Sequence, residues 1–169
     1  MKPQPQDYPS YYGGYISLIK QNEVLSSLTE TTRESLGLIR SIPIELENHA
    51  YADGKWTIKE LLLHCIDTER IFSCRALGFA RGEAQKALPF EENNYAAHSH
   101  ADKRSLNNIA AELEAVGKAT VALFASFSEE VLAVSGQTPS GKSTVNAMGF
   151  MIAGHTRHHL DILKERYLK

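Results

Sequence analysis

Near the C-terminal end, Val145, Met148, Ile152, His155, His159 and Ile162 recur at alternating three- and four-residue steps. That is the spacing of the buried seam of a helix, so two histidines stand where packing alone would place Leu or Ile. Residues four apart lie one turn above each other, and both imidazoles can converge on a single point. Imidazole is the commonest protein ligand for zinc, nickel and related ions. A single inward histidine is more often a hydrogen-bonded core residue. Two neutral imidazoles on one seam both need partners, and one divalent ion satisfies both at once. His64, on the edge of another apolar stripe, could reach the same interior from a neighbouring helix. Thr68 and Arg75, polar residues on the same line, argue against that by spacing alone.

The remaining histidines read differently. His158 is rotated about 100° from His159, which makes it a candidate for contact with the site or with substrate, as is Arg157; plain surface is the alternative. His49, His98 and His100 fall in expected loops. H-E-x-x-H is absent, because Thr156 follows His155, so the glutamate of a zincin arrangement is missing. Glu60 and Asp67 lie at i−4 and i+3 from His64, and Asp67 is a candidate outer partner for its imidazole. Cys65 sits beside His64, but adjacent helical residues do not face each other. Its line, Ile58, Leu62, Cys65 and Phe72, is that of a small core residue.

Four helices are needed to position these groups. One is expected over Asn22 to Arg40, with Leu25, Leu28, Leu36 and Ile39 on one face, ending before Pro43. The second has a capping box, Thr57 with Glu60, preceded by Trp56 as a staple onto Leu61, and runs to Arg81 and Gly82. A polar connection from Glu83 to Arg104 is long enough to cover or line a site. The third helix begins near Ser105 and carries Ile109, Leu113, Val116, Thr120, Leu123 and Phe127 on its seam; the fourth spans Thr144 to about Tyr167. Met1 to Tyr15, with three prolines and Gly13-Gly14, reads as an extended arm. No stretch alternates like a strand, although Val131 to Val134 is ambiguous. The expectation is an all-α protein, a single-domain (1–169) up-down four-helix bundle with an extended N-terminal arm.

Composition sets the outer limits. The 169 residues are 43% hydrophobic and 22% charged, and the formal net charge is −2. One core suffices at this length. No basic excess marks a nucleic-acid partner, and no apolar run approaches the roughly 20 residues of a membrane span. No signal peptide is evident. Cys65 and Cys74, nine residues apart on one helix, would stand roughly 13 Å apart, too far for a disulfide, so a cytoplasmic, reducing setting is expected.

The string Gly54 to Phe72, GKWTIKELLLHCIDTERIF, and Ala153 to Tyr167, AGHTRHHLDILKERY, resemble the DinB-like superfamily, most nearly its branch of metal-dependent hydrolases. Similarity extends to Tyr11 to Ile19, Arg75 to Arg81 and Glu91 to Tyr95. The resemblance implies a four-helix bundle, often a homodimer, with a three-histidine metal site whose ligands fall on His64, His155 and His159. Imidazole ligands make zinc or nickel the expected ion, with manganese or iron as alternatives. The resemblance also implies a small-molecule substrate, in some members together with a low-molecular-weight thiol such as bacillithiol, mycothiol or glutathione.

Three neutral histidines leave coordination positions open, so a metal-bound water or thiolate could react there. The expected activity is a metal-dependent hydrolase or thiol S-transferase. A non-catalytic metal-binding or stress-related bundle is the alternative. Gly136 to Ser143, GQTPSGKS, fits G-x-x-x-x-G-K-[ST] letter for letter, which would suit a nucleotide-binding protein. A phosphate loop, however, needs a preceding strand in a parallel sheet, and none is expected here.

Overall fold

The computed structural model describes residues 1–83 and 86–169. Four long helices form the bundle: α2 (Val24–Ser41), α3 (Ile58–Ala80), α5 (Leu106–Ala125) and α7 (Val145–Ile162). Helix α2 packs against α5 and α7, and α3 packs against the same two. Successive helices α2 and α3 therefore stand across a diagonal, joined by the long passage around Pro43. This arrangement makes α3 and α7 neighbours, which brings His64 alongside the His155/His159 stripe.

Local sequence explains where the helices start. Thr57 accepts a hydrogen bond from the Glu60 amide at 3.2 Å, and Glu60 accepts one from the Thr57 amide at 2.7 Å, which closes the expected capping box of α3. Thr144 caps α7 by accepting from the Ala147 amide, and Ser105 caps α5 in the same way. Beyond Ile162 the last helix widens into a π-helical stretch, Leu163–Tyr167.

The core has two apolar halves. One gathers Ile16, Phe72, Phe124, Met148 and Phe150; the other gathers Ile58, Leu62, Ile109, Leu113 and Leu160. Between them runs a buried polar waist of Thr31, Ser35, Thr68, Glu69, Thr120, His155 and Thr156. A cavity of about 10 Å³, close to the size that holds one water, opens within this waist beside Glu69 and Thr156.

Several segments differ from expectation. Residues 135–144 form an antiparallel hairpin, β1 (Ser135–Thr138) and β2 (Gly141–Thr144), turning at Pro139-Ser140. Four-residue strands are too short for alternation to show. Gly136 pairs with Ser143, so the two ends of the GQTPSGKS string face each other and cannot make a phosphate loop. The ambiguous Val131 run belongs to a short helix, α6 (Glu129–Ala133). The polar connection carries α4 (Glu92–Ala97); two of its positions, Ala84 and Gln85, lie outside the described residues. The N-terminal arm is not extended throughout: α1 (Gly13–Ser17) packs on α7 and buries Ile16. Gly154 permits this approach, because a Cβ there would stand 2.4 Å from the Tyr15 carbonyl oxygen. Leu25 is exposed, and α2 instead buries Val24, Ser27 and Thr31.

Candidate metal centre

The structure brings His64, His155 and His159 together. Nε2 of His155 lies 3.0 Å from Nε2 of His64 and 3.1 Å from Nε2 of His159. The ring centroids are 4.5 to 5.0 Å apart. Trp56 covers the outer side of the His64 ring at 4.7 Å, and Tyr15 meets His155 edge-on at 5.7 Å. His64 and His155 are buried and His159 is half-buried.

Burial dominates the electrostatics. It lowers the His64 pKa to about 4. It lowers that of His159 to about 3, helped by His64 and His158, and holds His155 well below the ordinary value. All three rings are therefore neutral near pH 7, the form in which imidazole has a lone pair to give.

This arrangement fits a cation better than a hydrogen-bonded cluster. A ring nitrogen carries either one proton or one lone pair. Nε2 of His155 faces two other Nε2 atoms, so it can satisfy only one of them through a hydrogen bond. A single ion satisfies all three lone pairs. Nitrogens held at about 2.0–2.1 Å from one tetrahedral ion stand roughly 3.3 Å apart, close to the separations seen. With Nε2 directed inward, the ring protons reside on Nδ1. Those of His64 and His159 are buried without a protein acceptor.

The other expected site residues lie elsewhere. Asp67 meets Arg70 at 3.5 Å on the side of α3 facing α5, where Arg70 also pairs with Glu112 at 2.6 Å. Arg157 is ion-paired with Glu34 of α2. His158 packs against Tyr15 at 5.1 Å and His159 at 5.2 Å. Neither Arg157 nor His158 lines the cleft that opens on the three imidazoles. His49, His98 and His100 are exposed. Cys65 is buried, and burial pushes its thiol pKa up, which leaves it unsuited to act as a nucleophile.

That cleft has a volume of about 420 Å³. Its floor is one line of α3, His64, Thr68, Phe72 and Arg75, with His155 and His159 at one end. The walls come from Tyr11, Tyr12 and Tyr15 of the N-terminal segment, from Phe90 and Glu92, and from Pro139-Ser140 at the hairpin tip. By spacing alone, Thr68 and Arg75 speak against an inward His64. They face the cleft, and their spacing of four and eleven residues from His64, which puts all three on one face of the helix, is the signal.

The model of the DinB superfamily matches residues 27–163 of the sequence. The chain belongs to the DinB superfamily. No curated protein sequence matches it. Among solved structures it is similar to YfiT from Bacillus subtilis, described as a probable metal-dependent hydrolase with an unusual four-helix bundle topology. The TM-score is 0.71 and the identity 17%, over 98% of this chain and 90% of that one. It is also similar to a mycothiol-dependent maleylpyruvate isomerase, with a TM-score of 0.67 and 14% identity over 82% of this chain and 58% of that one. Both likenesses establish the shared four-helix architecture. Among the described residues no helix is long and apolar enough to cross a membrane.

Proposed function

We propose that this DinB-superfamily chain is a metal-dependent enzyme that acts on a small molecule, by hydrolysis or by transfer to a low-molecular-weight thiol. The observation that carries this reading is the convergence of three neutral Nε2 atoms at the end of an open cleft. A purely structural site would be closed by a fourth protein ligand, and among the described residues the group of potential ligands is His64, His155 and His159 alone. A divalent ion held there supplies a Lewis acid that polarises an oxygen or favours a deprotonated sulfur. The chain's own residues set the surroundings. Trp56 and Tyr15 exclude water from the imidazoles, and the tyrosine walls confine the substrate. Glu92, the one carboxylate among the described residues of the lining, is the group available to accept a proton.

The descriptions of the two similar structures, one a probable metal-dependent hydrolase and the other a mycothiol-dependent isomerase, support a metal-dependent reaction and thiol involvement. Zinc or nickel suits three imidazoles. The family resemblance supports a homodimer, and the free state of Cys65 and Cys74 suits a cytoplasmic setting.

Metal analysis of the purified protein tests the reading. One equivalent of a divalent ion is expected, and each of His64→Ala, His155→Ala and His159→Ala should abolish its retention. Panels of esters and of electrophiles offered with thiols then assign the reaction. Normal metal retention in all three variants would mean that these histidines are not the ligands.

A further inference from the structure

Two polar residues in the cleft keep hydrogen-bonding capacity that the protein does not use. Thr68 is 2% exposed, and its hydroxyl has no hydrogen-bond partner in the protein. A buried hydroxyl without a partner carries a desolvation cost, which a ligand group reaching it from the cleft would relieve. Among the described residues, Arg75 is the only cationic side chain in the lining. It is half-buried, and among the described residues no carboxylate stands within ion-pair distance of its guanidinium. One of its five N–H groups goes to the Leu88 carbonyl at 2.5 Å, and its Cζ lies 5.3 Å from the Phe72 ring centre. The guanidinium is thus held in place, with donors left over.

The order along the helix is informative. His64, Thr68 and Arg75 lie on one face of α3, separated by one turn and then two. At about 1.5 Å per residue, Thr68 is roughly 6 Å and Arg75 roughly 16 Å from His64 along the axis. The cleft that joins them is walled by aromatic rings on both sides.

We propose that this cleft is a three-point site for an elongated carboxylate. The metal-seeking head sits at the histidines, a polar group in mid-chain meets the Thr68 hydroxyl, and a terminal carboxylate meets the Arg75 guanidinium. A carboxylate is favoured over a phosphate because a single guanidinium, with no second cation in the lining, matches one planar monoanion. Arg75 and Thr68 are specificity-determining residues here and take no part in the bond-making step. The inference rests on the metal-site reading, and its test keeps the two apart.

The probes are N-acetyl-Cys-Gly peptides with zero to four glycines, each as the free acid and as the C-terminal amide. They are titrated into cobalt(II)-loaded protein, with thiolate-to-cobalt absorption as the readout. Each glycine extends the probe by about 3.5 Å, so the carboxylate comes into register with Arg75 at one length. At that length the acid should bind about tenfold more tightly than its amide, and at the shortest length the two should bind alike. Arg75→Met keeps the aliphatic stem on Phe72 and should remove the acid's advantage without changing the cobalt spectrum. Arg75→Lys should restore part of it. Thr68→Val should weaken acid and amide of the longer probes equally while leaving the melting temperature unchanged or higher. Equal binding of acid and amide at every length, with a normal thiolate band, overturns the three-point site and leaves the metal reading intact. Absence of the thiolate band with every probe overturns both.

Discussion

His64 and Glu69 show what one-residue placement does in this bundle. The His155/His159 pair is legible from spacing, because both fall on a stripe that otherwise holds Val, Met and Ile. His64 is not legible in that way: its own line is polar, and only the fold reveals that this line faces a cleft instead of solvent. Glu69 carries no signal in the sequence that sets it apart from a surface carboxylate. It is 8% exposed in the polar waist, and burial raises its pKa, with the Thr120 hydroxyl and the Arg70 charge acting in the opposite direction. A carboxyl whose folded pKa is raised binds its proton more tightly when folded. Its contribution to stability is therefore complete below the unfolded value near 4.5 and is lost as pH rises through the raised value. The three buried imidazoles, with folded pKa values lowered from 6.5, make stability rise with pH up to that value, and Glu69 opposes this rise. In urea unfolding from about pH 4 to about pH 8, Glu69→Gln should therefore steepen the rise. An unchanged slope in the variant would mean that Glu69 does not couple to unfolding.

At the scale of elements, the long helices were readable because their signals are local. The Thr57/Glu60 box sets the start of α3 one residue after Thr57, and the α7 seam runs without interruption. The short pieces were not readable. Hairpin β1–β2 offers four residues per strand, and the arm's Tyr11, Tyr12 and Tyr15 reveal their role only once α1 is docked. That docking depends on Gly154, one residue before His155. In Gly154→Ala the new methyl meets Tyr15 backbone, which cannot turn aside as a side chain could. The expected result is a loss of about 1–3 kcal/mol in denaturant unfolding together with greater protease access to residues 1–20, while metal content stays near one equivalent. Loss of the metal as well would mean that α1 helps to hold the imidazoles directly.

For the whole molecule, the ion would link α3 to α7 across the polar waist, where the two apolar halves contribute least. A ligand that binds only the folded chain stabilises it by mass action, about 2.7 kcal/mol at 100 times its dissociation constant. For a chain of this length that corresponds to a rise of roughly 5–10 °C in melting temperature. Calorimetry with and without a chelator measures it, and the His155→Ala variant should show no shift. The diagonal placement of α2 and α3, which brings the two metal-bearing helices side by side, lay beyond any periodicity argument, since the seam of a helix states which face is buried and not which neighbour buries it.

The walls of the cleft come from stretches far apart in the chain, residues 11–15, 90–92 and 139–140, while the three imidazoles stand on two rigid helices. Inheritance can therefore treat the two separately. Drift, insertion or recombination in the short peripheral segments reshapes what the cleft admits, while the imidazole cluster stays under its own selection. A lineage built this way can diversify its chemistry by exchanging borders, and a library confined to those three segments would explore the same variation in the laboratory.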